Sequence, residues 1–326
     1  MGEIRTSYPR FRRAKGPPPR IELTSDDIDI LRVIHRHRFV RADHLYRLFS
    51  ERSPDRLSRR LTLLFRAGYL GRPLAQIDRF QEGGSQPLTY GLDRLGARFL
   101  KEKKGVSIGE TDWKTRNRAF KRENLEHTLA TASFLINLEL ECRSLPGVSL
   151  VTFEEILARA PEKTRRSPTP GRWPVSMRHN GSRADVMLAP DAIFGLRLTR
   201  DNASPLTSYF FLEVDRGTMT IAPARRIREG DAFLHRATVL RKILTYAESW
   251  QAAFHLDQFA VRNARVLFLA SSVPRALNMQ AVAGNEILKH RHLPSGLFLF
   301  GSGSASATPL ASTWNDEAGK RRQLLF

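Results

Sequence analysis

The sequence predicts a mixed α/β chain in two domains, a small helical module with a two-stranded return followed by a larger helix-and-strand layer. Three observations predict it. The chain has 326 residues, beyond the roughly 100–200 of one ordinary domain. Its apolar patterning changes from helical to strand-like spacing near residue 148. Its net charge of +20 is uneven: residues 1–122 hold 28 basic and 14 acidic side chains, residues 123–326 hold 25 and 19.

Composition excludes several classes. With 41% hydrophobic and 26% charged residues, the chain is neither largely disordered nor fibrous. The longest apolar runs, Tyr209–Leu212 and Val266–Ala270, fall far short of the ~20 residues that cross a bilayer. The basic N-terminus has no apolar stretch of the secretory kind. Cys142 stands alone, so neither an internal disulfide nor a Cys-rich zinc site is available. A cytoplasmic chain with no membrane partner is expected. The cationic excess points to a polyanion, and nucleic acid fits best because phosphate contacts release counterions.

Residues 1–20 carry six basic side chains, one acid and four prolines; no core can form from them, and a disordered basic arm is predicted. Over residues 21–104, Thr24-Ser25-Asp26-Asp27 supplies a cap and first-turn acids ahead of Ile28, Leu31, Val33 and Ile34. A short helix follows around Arg41–Phe49. A third opens at Ser53-Pro54, with Pro at its first position. One side of that helix carries Leu57, Leu61, Leu64 and Phe65; the other carries Arg56, Arg59, Arg60, Thr62 and Arg66. Gly68 ends it, Tyr69-Leu70 begins a strand, and the Gln81–Gln86 loop leads to a return strand at Leu88–Leu92. Asp93 caps a further helix from Arg94. Helix, helix, arginine-faced helix and two-stranded wing is the order of a winged helix-turn-helix, which lays its recognition helix in the major groove of double-stranded DNA. Arg56, Arg59, Arg60 and Arg66 are the expected DNA-binding residues. His35, His37 and His44 lack metal-ligand spacing and are expected at the surface. A homodimer is compatible with such a module.

Residues 105–122 form a basic linker. From 123 to 326 the expected order is a long helix to Arg143, a strand at Val148–Phe153, an exposed loop over Ala160–Asn180, and strands at Arg183–Phe194 and Ser208–Val214. A helix from about Asp231 to Trp250, a strand at Arg265–Ala270, a helix around Ala276–Leu288 and a last strand at Gly296–Phe300 complete an α/β layer.

Chemistry, if present, sits in that layer. Glu213 and Asp215 project to one face by the strand period of two, and Asp191 follows an earlier strand behind Pro190. Carboxylates in apolar strands are costly to bury unless paired or coordinating a cation. Asp191, Glu213 and Asp215 would together offer the hard oxygen ligands Mg²⁺ prefers, an ion that can activate water for phosphodiester hydrolysis.

Pro190-Asp191 followed by Glu213 is similar to the signature of the restriction-endonuclease fold: Pro-Asp, a spacer, an acid, any residue, then lysine. Asp215 stands where that lysine belongs; Lys242, on the next helix, is its candidate replacement and would stabilise developing charge. An active Mg²⁺-dependent endonuclease and a decayed fold kept for DNA contact or assembly both fit. Taken together, the winged helix, Leu125-Glu126-His127-Thr128-Leu129, Pro190-Asp191, Glu213 to Thr218, and Lys242 with Tyr246 resemble the replication-relaxation family. The resemblance implies a bacterial DNA-binding protein of replication, relaxation or regulation in a plasmid or other mobile element, with plasmid replication or mobilisation proteins as partners. It leaves catalysis open: the alternative is a DNA endonuclease or nickase using Asp191, Glu213, Asp215 and Lys242. Tyr246, beside Leu244, reads as a packing residue.

Overall fold

The computed structural model describes residues 10–77, 86–105, 121–179, 181–201, 203–228, 232–288 and 293–325. The first nine residues of the expected arm, Gln81–Ser85 of the expected wing loop and residues 106–120 of the expected linker lie outside them. The architecture is mixed α/β, and the chain divides into two units, residues 1–136 and 137–326.

In the first unit, α1 (Ser25–His37) begins at a reciprocal cap: the Thr24 hydroxyl accepts from the Asp27 N–H, and the Asp27 carboxylate accepts from the Thr24 N–H at 2.7 Å. Strand β1 (Phe39–Arg41) and α2 (Ala42–Leu48) follow. Helix α3 (Pro54–Ala67) starts on a proline and buries Leu57, Leu61, Leu64 and Phe65. It ends at Gly68, whose φ of 90° lies in the left-handed region that closes helices. Strands β2 (Leu70–Gly71) and β3 (Thr89–Leu92) pair antiparallel, and β3 also pairs β1, giving the order β1-β3-β2. Asp93 then caps α4 (Arg94–Lys104), accepting from Arg94 N–H at 2.7 Å. The strand at Phe39 departs from expectation; three residues are too few for a period to register.

Within residues 10–20 the Arg13 guanidinium donates to the Phe65 and Leu70 carbonyls, both at 2.5 Å, and to the Asp93 carboxylate at 2.6 Å. One arginine of the arm thus joins the last turn of α3, at Phe65, to β2, at Leu70, and to Asp93 ahead of the next helix. His37 and His44, expected at the surface, are buried. The turn from α1 into β1 carries His37 inward, and Ser133 meets His44 Nε2 at 2.9 Å.

Helix α5 (Arg122–Ser144) begins where the second domain was expected, yet the unit boundary falls after Ile136. The reason is packing: Leu125 and Leu129 cluster with Phe39 of β1.

The second unit holds a seven-stranded sheet. Strands β4 (Val148–Val151), β7 (Ala192–Leu198) and β8 (Leu206–Asp215) pair antiparallel; β9 (Ala264–Ala270) and β10 (Phe298–Gly301) continue parallel; β11 (Trp314–Asp316) and β12 (Arg321–Arg322) close it antiparallel. After α6 (Phe153–Arg159), the expected loop at Ala160–Asn180 instead contains β5 (Trp173–His179), which pairs with β6 (Ser182–Leu188) in a separate two-stranded sheet. The expected single strand Arg183–Phe194 is therefore two strands of two sheets, broken at Ala189–Asp191. Helix α7 (Val239–Gln251) and helix α8 (Val273–Ala283) add to this layer. The core joins the inward sides of β5, β8, β9 and α7, with Trp173 against Phe211 and Phe259, and Phe211 stacked on Tyr246. Fully buried side chains of this size contribute about 1.5–3 kcal/mol each.

Candidate functional site

On α3 the leucine stripe turns inward and leaves Arg56, Arg59 and Arg66 exposed. Arg56 and Arg59 make no hydrogen bond or ion pair among the described residues. Arg66 borders a cavity of about 410 Å³ between the arm and the end of α3, shared with Arg12, Lys15 and Arg72. Arg60 is different. Its Nε donates to Asp27 Oδ1 at 2.7 Å, its Nη2 donates to Asp27 Oδ2, and the same nitrogen reaches the Glu22 carbonyl at 2.7 Å. Asp27 is fully buried. Burial alone would raise its pKa, but the bonds from Arg60 and Thr24 outweigh burial and hold it below the ordinary value. Arg60, expected among the DNA-binding residues, ties α3 to the start of α1 through these bonds. Thr24 with Asp27 is visible as a capping pattern; the partner, 33 residues away, carries no local signal.

The second cluster lies at the end of β8. The alternation of that strand turns Phe211, Glu213 and Asp215 to the side where α7 packs. Lys242 and Tyr246, four residues apart on α7, reach down to Glu213: Lys242 Nζ donates to Oε2, and the Tyr246 hydroxyl donates to Oε1 at 2.7 Å. Asp191 enters next to them, its N–H on the Leu212 carbonyl at 2.9 Å and its carboxylate accepting the Val214 N–H at 2.8 Å. Burial pushes the Glu213 carboxyl up to about 7 against the pull of the Lys242 ammonium, with Asp191 adding to the rise. Burial would lower Lys242, but Glu213 and Asp191 outweigh it and hold the ammonium above its ordinary value. Burial, followed by Glu213, drives the Tyr246 hydroxyl well above its own.

Asp191, Glu213 and Lys242 are thus brought together, and Tyr246 joins them as a hydrogen-bond donor to Glu213. Asp215 shares their face but turns to other partners. Arg275, in the first turn of α8, grips both its oxygens and also bonds the Met219 carbonyl, while the Gly217 N–H donates to Asp215 at 3.0 Å. Sequence reasoning misses Arg275 because nothing local marks an arginine 60 residues from its carboxylate.

Mg²⁺ requires open carboxylate oxygens. Both oxygens of Glu213 and both of Asp215 already accept from side chains, and among the described residues no three His, Cys, Asp or Glu side chains form a group that could hold a metal ion. In this arrangement the residues do not fit the ion. What the cluster does hold is a buried carboxyl whose pKa is raised to about 7, bonded to an ammonium and a phenol.

A sequence profile for the family described as replication-relaxation matches residues 31–261. The chain belongs to the replication-relaxation family. The match begins in α1 and ends beyond α7, so α3 and the Asp191–Glu213–Lys242 cluster both lie within the replication-relaxation region. No curated protein matches the chain, and no solved structure does. Among the described residues no helix is long and apolar enough to cross a membrane.

Proposed function

We propose that this replication-relaxation protein is a double-stranded-DNA-binding protein acting in replication, relaxation or regulation of a plasmid or other mobile element. In this reading the first unit is a winged helix-turn-helix and α3 its recognition helix, with Arg56 and Arg59 meeting bases or phosphates. The observation that carries it is the conjunction of order and charge. The helices and strands run α1-β1-α2-α3-β2-β3 with β3 central, and two α3 arginines with no partner among the described residues stand on its exposed side. Arginines so placed on a helix braced by Arg60 suit a phosphate or guanine edge. Plasmid replication or mobilisation proteins are the partners that fit this role. Fluorescence anisotropy with duplex DNA tests the reading. Arg56→Ala with Arg59→Ala should weaken binding and flatten its salt dependence; unchanged affinity and slope would remove α3 from the interface.

A second reading, a metal-dependent DNA endonuclease or nickase, is favoured by one observation: Asp191, Glu213 and Lys242 meet at neighbouring strand ends. Against it stand the bonds that occupy Glu213 and Asp215. Supercoiled plasmid incubated with Mg²⁺ or Mn²⁺ separates the readings: nicking by the wild type and not by Glu213→Ala supports the enzyme, and intact plasmid under both metals argues for binding alone.

A further inference from the structure

The positive charge of the second unit is concentrated in one place. Residues 159–183 carry seven basic side chains and one acid. Arg159, Lys163, Arg165, Arg166, Arg172, Arg178 and Arg183 are all exposed. Among the described residues only Arg166 of these is matched by an acid, Glu162, at 2.5 Å.

The β5–β6 hairpin orders the last two. Its inner face is fixed by packing on α7: the Trp173 indole donates to Ser249 Oγ at 3.0 Å, and Thr245 Oγ1 donates to Met177 Sδ at 2.8 Å. With Trp173, Val175 and Met177 turned inward, Pro174, Ser176 and Arg178 must face out. On β6 the matching outward residues are Arg183, Asp185 and Met187. The register sets Arg178 directly opposite Arg183. Like charges in that position repel and destabilise a ladder. Arg183 leans on the Ser176 hydroxyl at 2.7 Å, whereas Arg178 has no partner among the described residues. Asp185 pairs across with Ser176 rather than with either arginine. The register therefore sets two exposed arginines opposite one another, and among the described residues no carboxylate forms an ion pair with either.

We propose that the outward face of the β5–β6 hairpin is a second DNA-binding surface, with Arg178 and Arg183 straddling backbone phosphates and the cations of residues 159–172 extending the track. A shared phosphate removes the repulsion, and the planar forks of two arginines suit its oxygens. The next outward rung holds Ser176 and Asp185; an acidic peptide is less apt, because seven cations spread over residues 159–183 suit the evenly repeated charges of a duplex backbone. The proposal rests on the reading that the partner is duplex DNA, but not on the role of α3.

The full-length chain with Arg178→Thr and Arg183→Thr, singly and together, tests it; threonine keeps strand propensity. Two opposite effects are expected. The free protein should gain thermal stability by about 2–4 °C in its midpoint as the repulsion is relieved. Affinity for a mixed-sequence duplex should fall about 3–10-fold at low salt, with the log–log salt slope shallower by about 1 for each phosphate no longer neutralised. Arg178→Lys, which keeps the charge, should retain most of the affinity. Unchanged affinity in the threonine variants beside a loss in Arg56→Ala with Arg59→Ala would overturn the second surface and leave the DNA-binding role standing. Weakened binding in the hairpin variants alone would keep the hairpin and remove α3. A lowered thermal midpoint, or binding of polyglutamate in preference to duplex, would overturn the proposal as well.

Discussion

Arg60 and Asp27 form a two-pronged ion pair that fastens the middle of α3 to the first turn of α1, with the Asp27 carboxylate wholly out of water. The sequence places both residues on helix surfaces, where such pairs contribute little. Burial of one partner changes its weight. Removing Arg60 strands a carboxylate that has lost its solvent and its cation together.

Arg60→Ala should therefore destabilise the first unit by about 2–3 kcal/mol, somewhat under the ~3–5 expected for a fully buried pair, because 28% of the Arg60 side chain remains exposed. Urea unfolding followed by circular dichroism measures it. The pH dependence has a defined sign. Asp27 is held below its ordinary 3.8, so its contribution is present above that value and disappears as the pH falls through the lower folded one. Asp27→Asn should lack that acid-dependent loss.

His37 predicts a second acid effect in a different window. Both its ring nitrogens are buried without a hydrogen-bond partner, and burial, with lesser help from Arg36 and His44, lowers its pKa to about 3. The unfolded chain takes up this proton near 6.5, the folded chain only near 3, so stability should decline as the pH drops between them. At pH 5 the loss relative to pH 7.5 is about 2 kcal/mol at 1.36 kcal/mol per unit. His37→Phe should flatten the profile across pH 4–6.5; an unaltered slope would show that the proton has another home.

Glu213 should act in the opposite direction. Its folded pKa, up at about 7 against an ordinary 4.5, means that the unfolded state ionises first. Its contribution is complete below about 4.5 and is lost as the pH rises toward 7. Glu213→Gln keeps the shape and the acceptor for Tyr246, so thermal midpoints of variant and wild type should converge at about pH 4 and separate in favour of the variant at pH 8. Parallel curves would mean that Lys242 keeps Glu213 ionised throughout.

How much of the fold and the cluster is legible in the sequence follows from how local each signal is. Helix α3 is bounded by Ser53-Pro54 and Gly68, and its apolar and arginine sides follow from helical spacing. Glu213 and Asp215 share a face by strand spacing, and Lys242 lies beside Tyr246 by their separation of four. The β5–β6 hairpin is hidden because Pro174 and the arginines around Trp173, Val175 and Met177 imitate a loop. Asp215 groups with Asp191 and Glu213 in the sequence because strand period fixes a face but not a partner, and Arg275 arrives from a distant helix. The same limit conceals Arg60 behind Asp27.

The most direct measurement is a gel-shift titration of the wild-type chain on mixed-sequence duplex DNA at low ionic strength, repeated as salt is raised. A retarded complex that weakens log-linearly with salt is the predicted result. The absence of any complex at the lowest salt would contradict the account at its root.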